Sequence, residues 1–441
     1  MTMEERLYDR RALFWICVLS LFVAAMSNSI RAGAAGAIKT ALLDPIDAQH
    51  SGEMIGTVLG SSFLGFALSL LVISPLLDRI GAKRCILLAS ACFVVGPLLV
   101  LSCPLLGTSS YVMLNVAMVV WGLGWGASEA TINPVTTTLY ADDKTGKLNH
   151  LHAWWPAGIV VGGLLSVLFF KILDLPWQAL IALPIVPGAL LGIWAARHRF
   201  PQTESTAQGV PFRDMMMEPF RRPTFWIFFA IMFLTASAEL APGAWVDIAL
   251  TQTVKMPGIL VLAYVSAIMF VMRHFAGPLD KRFSDMGLLL MSTIPAAAGL
   301  YLLSTANSPF TAIVAATLWA IGVCFMWPTM MAAVSRRYFR SGAWGIGLIG
   351  FAGAMAIYFV LPELGAIYDR AKLSKAGGTE AFAALQPSSP EYGQVMAYAA
   401  ETSFKTIAII PVVLFFIFAG VWLVERRKRA AGLKASEMSA V

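Results

Sequence analysis

One stretch of the sequence combines residue types that are costly inside a lipid bilayer: Glu129, Asn133 and Pro134 follow three glycines within an apolar run. A carboxylic acid in hydrocarbon is rare and usually functional. In a low-dielectric cavity it keeps its proton more readily than in water, so it can load and release a proton near neutral pH. Glu129 is the predicted proton carrier; the alternative is a neutral acid that only ties helices together. Asn133, one turn further on the same face, either shares a polar ligand with Glu129 or serves helix packing.

Arg31 is a second charge within an apolar run. At about 1.5 Å per residue it lies toward the outer face, whereas Glu129 lies in the inner half, so no direct ion pair between them is expected. Glu239 and Asp247 lie on either side of the depth of Arg31. We hypothesise an outer gate in which Arg31 pairs with Glu239 or Asp247. Two alternatives stay open: Arg31 extends to the membrane interface, or it binds an anionic substrate such as a carboxylate sugar.

Other polar and aromatic side chains are candidates for contact with a solute. Trp154, Trp155 or Trp245 could stack on the C–H face of a sugar, although one of the adjacent pair Trp154 and Trp155 must face away. His152 could bind a hydroxyl group. For His152 a structural polar contact is the alternative, and for Trp245 a place in the aromatic belt at the membrane interface. Arg273 is predicted to close an inner gate or bind lipid phosphate, and contact with the solute is the alternative. The candidate solute-binding set is Asn28, Arg31, Asn133, His152, Trp154, Glu239 and Trp245.

The elements that must position these residues are transmembrane helices. The chain has 441 residues, of which 58% are hydrophobic and 13% charged, whereas a globular chain carries about 25% charge. The apolar blocks are too long for soluble core helices. We predict an all-α membrane protein with twelve spans, at 12–38, 52–77, 84–105, 111–139, 149–171, 177–197, 223–250, 257–279, 286–305, 310–334, 341–366 and 403–424.

The distribution of Lys and Arg predicts orientation and domain organisation. Most of the 32 basic residues fall in one set of connecting segments, which places both termini in the cytoplasm. The longest inner loop splits the spans six and six. The predicted parts are a cytoplasmic N-terminus (1–11), two six-helix bundles (12–197 and 223–424), a cytoplasmic linker between them (198–222) and a cytoplasmic tail (425–441). A bacterial inner membrane is the expected location.

Several function classes are excluded or disfavoured. The net charge of +7 comes from short clusters between apolar blocks, so nucleic-acid binding is not expected. The five cysteines lie in apolar segments without CxxC spacing, which predicts packing rather than a metal site or disulfides. A Walker motif is absent from the sequence, which disfavours ATP-driven transport. We expect no cofactor, no metal and no enzymatic activity, and a monomer whose partners are a solute, a coupling ion and the bilayer.

The two predicted bundles repeat one pattern at the inner turn after their second span. Asp78 and Arg79 precede Gly81 and two further bases in the first; Asp280 precedes two bases in the second. An acid at such a turn can hold neighbouring helix ends by charged hydrogen bonds, which break and re-form as the halves rock. Two parallel repeats around a central site are therefore indicated. Asp78, Arg79 and Asp280 join Arg31, Glu239, Asp247 and Arg273 as gating candidates.

These features resemble the major facilitator superfamily, whose signature between spans two and three is similar to Leu77-Asp78-Arg79-Ile-Gly81-Ala-Lys83-Arg84, with Ser74 in place of the usual first glycine. Within it the chain resembles the fucose/glucose permease branch of sugar:proton symporters. The motifs that carry this likeness are Glu129-Ala-Thr-Ile-Asn133-Pro134, Leu148-Asn149 with Trp154 and Gly158, Ala238-Glu239 with Gly243 and Trp245, Trp327-Pro328-Thr329, and Leu361-Pro362-Glu-Leu-Gly365.

The resemblance implies a secondary transporter that moves a small polar solute, a sugar, with protons by alternating access. There is one departure from the branch. Its span one carries an acid next to an asparagine, and here Ser29 follows Asn28, with Arg31 two residues on. The departure bears on both coupling and substrate. The competing readings are an exporter or antiporter of an anionic or amphiphilic solute, and a non-transporting sensor or membrane-embedded enzyme.

Overall fold

The computed structural model describes residues 8–47, 50–254, 258–386 and 388–438, and these residues form helices without a strand. Eleven helical segments among them are long and apolar enough to cross a membrane. The pair Val261–Arg273 and Ala276–Phe283, bent by 61°, makes twelve when it is counted as one span. The predicted all-α fold with twelve spans is therefore confirmed, with span eight broken rather than straight.

The helices of spans one to six are Arg10–Ile38, Ser51–Ile80, Ala82–Ser102, Ser110–Leu139, Lys144–Val167, and the pair Trp177–Ala182 and Ile185–Ala196. Those of spans seven to twelve are Pro223–Val254, the bent pair Gly258–Arg273 and Ala276–Phe283, Asp285–Ser304, the pair Pro309–Val323 and Met326–Arg337, Gly342–Ala376 and Pro390–Met438. Short helices outside or at the ends of spans are Asp44–Asp47, Glu204–Ala207, Phe212–Arg221 and Thr379–Ala383.

The chain divides into two compact units. Unit 1 comprises Met1–Phe229 and Val334–Ala354, and unit 2 comprises Ala230–Ala333 and Met355–Val441. Spans one to six and the linker lie in unit 1. The segment Val334–Ala354, which the sequence assigns to the second bundle, belongs to unit 1 here.

Glycines set the packing of span four in unit 1. A Cβ atom on Gly122 would lie 2.0 Å from the Ser62 carbonyl oxygen, and one on Gly126 would lie 2.4 Å from that of Phe66. The backbone of span four thus touches that of span two, which only small residues permit. Glu129 follows Gly126 by three residues, so the acid lies on the neighbouring part of the same helix surface.

Several element boundaries differ from the predicted ones. Span six breaks at Leu183 and Pro184, because proline lacks the N–H group that a continuous helix needs. The predicted outer loop from residue 369 to 402 is shorter, since span eleven continues to Ala376 and span twelve begins at Pro390. Both helices extend beyond their apolar stretches, and hydropathy marks only the apolar part of such a helix. The predicted short helix near Thr379–Leu385 is confirmed as Thr379–Ala383.

Candidate functional site

Span four presents a stripe of four side chains in unit 1, each four residues after the last: Trp121, Trp125, Glu129 and Asn133. Residues at this spacing lie one above another on a helix. The helix Ser110–Leu139 carries all four. At about 1.5 Å per residue, Trp121 and Glu129 are about 12 Å apart along the axis. The stripe is therefore aromatic toward the N-terminal end of span four and polar toward its C-terminal end.

A chain of hydrogen bonds joins Glu129 to span five. Asn133 Nδ2 donates to Glu129 Oε2 over 2.8 Å and to the Glu129 carbonyl oxygen over 2.9 Å. His152 Nε2 lies 2.8 Å from Asn133 Oδ1. Because an amide oxygen only accepts hydrogen bonds, His152 is the donor in this arrangement, and both bonds point toward the carboxylate. All three side chains are buried. The structure thus brings together three of the predicted site residues.

The two adjacent tryptophans of span five have different neighbours. Trp155 stacks on Trp125 with ring centroids 5.1 Å apart and an interplanar angle of 23°. Trp154, the predicted sugar-stacking residue, makes edge contacts with Trp15 and Phe22 of span one. Trp155, not Trp154, therefore lies beside the span-four stripe. The four-residue spacing of Trp125 and Glu129 is the sequence feature that indicates which aromatic face belongs to the site.

Arg31 of span one lies against the aromatic end of the stripe. Its guanidinium carbon is 5.1 Å from the centroid of the Trp121 ring, a cation–π distance. Its Nη2 atom donates to Asn28 Oδ1 over 3.1 Å. Arg31 is 3% exposed, and it makes no ion pair with any acid among the described residues. Two predicted solute-binding residues, Asn28 and Arg31, are thus in contact beside Trp121, which lies about two helical turns from Glu129 along span four.

Glu239 and Arg273 form a buried ion pair in unit 2. Arg273 Nη2 lies 2.5 Å from Glu239 Oε1, with the side chains 3% and 2% exposed. Both residues also bind the backbone where span ten is interrupted. The Trp327 N–H group donates to Glu239 Oε2 over 3.0 Å, and Arg273 Nε donates to the Cys324 carbonyl oxygen over 2.6 Å. Glu239, predicted to pair with Arg31, has Arg273 as its partner in this structure.

The position of this pair follows from helix physics. A helix that ends at Val323 leaves free carbonyl oxygens, and one that starts at Met326 leaves free N–H groups. A cation favours the first end and an anion the second, because the helix dipole is negative at the C-terminus and positive at the N-terminus. Arg273 and Glu239 match both ends. The sequence did not predict this pair, because a depth counted along straight helices is wrong for Arg273, where span eight bends.

Asp78 binds the linker in unit 1. One carboxylate oxygen accepts from the Thr203 N–H group over 3.0 Å, and the other accepts from the hydroxyls of Thr203 and Thr206 over 2.6 and 2.8 Å. The Arg79 guanidinium lies over the Phe212 ring, 3.6 Å from its centroid. Asp78 thus holds the start of the linker helix Glu204–Ala207 by charged hydrogen bonds. The gating roles of Asp78 and Arg79 stay predictions.

Three predicted site residues remain. Asp280 lies in the helix Ala276–Phe283 that follows the bend of span eight. Trp245 and Asp247 lie in the helix Pro223–Val254, but their side chains fall outside the described part of the structure. Gating roles for Asp280 and Asp247, and solute stacking by Trp245, stay predictions.

Comparison with known proteins identifies the family. The sequence profile of the Major Facilitator Superfamily matches residues 15–363. Multidrug resistance protein D of Escherichia coli is 28% identical over 124 residues, which are 28% of this chain and 29% of that protein. The glucose transporter GlcP of Staphylococcus epidermidis is 23% identical over 148 residues, 33% of this chain and 31% of that protein. The chain therefore matches less than a third of the length of these relatives.

Solved structures share the fold over nearly the whole chain. The fucose:proton symporter FucP of Escherichia coli has a TM-score of 0.68 at 15% identity, covering 93% of this chain and 98% of that one. The proton:xylose symporter XylE has a TM-score of 0.70 at 13% identity, covering 93% and 95%. A human organic anion transporter has a TM-score of 0.68 at 11% identity, covering 93% and 99%. At these identities the likeness shows the fold.

Proposed function

The chain belongs to the Major Facilitator Superfamily, a superfamily of membrane transporters rather than enzymes, and from that premise we propose that it moves a small polar solute by alternating access coupled to protonation of Glu129. The observation that carries the proposal is the hydrogen-bonded chain from Glu129 through Asn133 to His152. A buried acid in a membrane span marks an ion or substrate pathway by default.

The hydrogen bonds that link Glu129, Asn133 and His152 have two arrangements in which each donor meets an acceptor. With Glu129 ionised, the Asn133 amide donates to it and His152 donates to the amide, as the structure has it. With Glu129 protonated, its hydroxyl can donate to Oδ1 once the amide turns over, and Nδ2 then faces a ring nitrogen of His152 that must accept. Protonation at Glu129 thereby alters hydrogen bonding in span five. A transport cycle coupled to protons needs such a link between protonation and helix contacts.

A sugar is the proposed solute class. Phe66 of span two stacks on Trp125 with ring centroids 4.0 Å apart. Trp155, which stacks on Trp125 over 5.1 Å, therefore offers the flat apolar face beside the polar half of the stripe. Carbohydrate rings combine C–H faces with hydroxyl groups, which fits such a pairing. The glucose transporter, FucP and XylE carry sugars by their names. We place the protein in a bacterial inner membrane as a monomer, with both termini cytoplasmic.

Reconstituted proteoliposomes test the proposal. With an inward proton gradient imposed, radiolabelled sugars and sugar acids should accumulate inside proteoliposomes that contain the wild-type protein. Accumulation should be lost in proteoliposomes that contain Glu129→Gln. Exchange of solute without net proton movement should persist in that variant, because binding and alternating access remain. The control is Glu401→Gln, which alters an exposed acid paired with Lys405. Gradient-driven accumulation in Glu129→Gln at the wild-type level would contradict the assignment.

The second candidate function is export or antiport of an anionic or amphiphilic solute. Arg31 favours it, as a buried cation two residues after Ser29, which stands where the branch of sugar:proton symporters that the chain resembles carries an acid. The partial match to a multidrug resistance protein is a further reason to keep it. The same vesicles distinguish the two, since an antiporter moves solute against the direction of the imposed proton flow.

A further inference from the structure

Two buried hydrogen-bond donors, on side chains of unit 1 that are in cation–π contact, have no partner among the described residues. They are Arg31 Nη1 and Trp121 Nε1, on side chains that stack on each other. Leaving a buried donor unsatisfied costs free energy, and the cost is larger when the donor is charged. Both donors therefore favour the arrival of an acceptor, and the positive charge favours an anionic one.

The surroundings of Arg31 fix its position but do not neutralise its charge. Asn28 supplies one neutral acceptor, at 3.1 Å from Nη2. The Trp121 ring supplies a cation–π contact on one face of the guanidinium. Neither contact carries a negative charge. Among the described residues of the first six spans, the other buried cationic side chain is Lys144, which already has Glu204 at 2.6 Å. In the part of unit 1 that the structure describes, Arg31 is thus the buried cation without a counter-ion.

We propose that the transported solute carries a carboxylate group, and that Arg31, with Trp121 beneath it, binds this group. The inference rests on the proposed transport function and names its substrate class. A guanidinium matches a carboxylate in shape as well as charge, because its planar donors can bind both oxygens. One cation balances one carboxylate, whereas a phosphate ester at neutral pH brings close to two charges.

The same helix face sets what the rest of the solute contacts. From Trp121 the stripe continues through Trp125 to Glu129, about 12 Å further along the axis. A hexuronate is a sugar ring with a carboxylate at one end. It therefore has one chemical group for each of these contacts. The carboxylate binds at Arg31, the ring lies against Trp155, which stacks on Trp125, and hydroxyl groups extend toward Glu129. The unpaired cation and the proton-carrying acid then serve opposite ends of one ligand.

Matched pairs of ligands provide the test. Glucuronate and glucose, and galacturonate and galactose, share their rings and differ in a carboxylate against a hydroxymethyl group. Purified full-length protein is titrated with each, and binding is followed by the shift of its melting temperature. Counterflow in proteoliposomes is then measured with the same compounds. A hydrogen bond to a charged group corresponds to about a tenfold to hundredfold preference in affinity.

The expected result is that at least one uronate binds the wild-type protein about tenfold or more tightly than its hexose. Arg31→Gln should bring that ratio close to one, and Arg31→Lys should keep part of it. The control is Arg426→Gln, because Arg426 lies over the Trp422 ring at 5.2 Å, nearly the geometry of Arg31, but is exposed. It should leave the ratio unchanged. Monodisperse elution confirms that each variant folds.

The outcomes separate this inference from the function on which it rests. If a neutral hexose is carried with protons and no uronate is preferred, the transport proposal stands and the carboxylate proposal is wrong. A uronate preference that survives Arg31→Gln also overturns the role of Arg31. If neither the hexoses nor the uronates bind or move, both proposals fail.

Discussion

The ion pair between Glu239 and Arg273 makes a quantitative prediction about the stability of unit 2. Both side chains are almost fully buried, and the charged atoms are 2.5 Å apart. Removing one partner of a buried pair leaves an uncompensated charge, which costs about 3–5 kcal/mol. We therefore expect Glu239→Gln and Arg273→Met each to lower the free energy of unfolding by about that amount. Arg273→Met should be the more severe, because it also leaves the Cys324 carbonyl oxygen without its donor.

The double variant is the decisive measurement. With both charges removed, no uncompensated charge remains, so Glu239→Gln/Arg273→Met should be less destabilised than the two single effects together by about 1–3 kcal/mol. Unfolding is followed by tryptophan fluorescence during titration with sodium dodecyl sulfate in mixed micelles. Glu401→Gln is the matched control, because it breaks a pair with Lys405 that has the same 2.5 Å separation but is 38% and 44% exposed. The free energy of unfolding of Glu401→Gln should be lower than that of the wild type by only about 0–1 kcal/mol.

Two results would refute the reasoning. If the single effects add to within about 0.5 kcal/mol in the double variant, the two charges are not coupled. If the exposed control costs as much as the buried variants, burial is not the source of the effect. In either case the ion pair would not be what stabilises the interruption of span ten.

Three further predictions follow from unit 1. His152→Gln retains a donor for Asn133 and should keep proton-coupled uptake within about tenfold of the wild type, whereas His152→Leu should reduce it about a hundredfold, measured as initial rates in proteoliposomes. Asp78→Ala removes the acceptor of three hydrogen bonds from the linker, so amide hydrogen exchange in residues 199–212 should accelerate about tenfold or more. Gly122→Ala places a methyl group 2.0 Å from a backbone oxygen and should destabilise by about 1–3 kcal/mol, whereas Gly60→Ala, with open space around it, should not.

The sequence predicts those parts of the molecule that depend on local patterns. Span number follows from the length of apolar runs, and the acid in span four stands out because nothing nearby in sequence neutralises it. The contact between Glu129 and Asn133 follows from helical spacing, and it is confirmed at 2.8 Å. Each of these inferences needs only neighbouring residues and one helix geometry.

The features that the sequence does not predict depend on how each helix is rotated about its axis and on where helices bend or are interrupted. Adjacent helix residues point about 100° apart, so the sequence alone left open whether Trp154 or Trp155 faces span four. Depth counted at a fixed rise per residue assumes straight helices, and the bend after Arg273 invalidates that count for span eight. The partner of Glu239 therefore could not be found from depth.

The two buried arginines show why a charge in an apolar run has no meaning until its partners are known. Arg31 and Arg273 are equivalent in sequence terms, each a single cation among hydrophobic residues. Arg273 has a carboxylate and a helix carbonyl as partners, so its charge is balanced inside the protein and its role is to hold an interrupted helix. Arg31 has one neutral acceptor and an aromatic ring. An isolated buried charge is far more costly than a paired one, and a bound anion removes that cost. The charge that the bundle leaves unbalanced is therefore the one assigned to the solute.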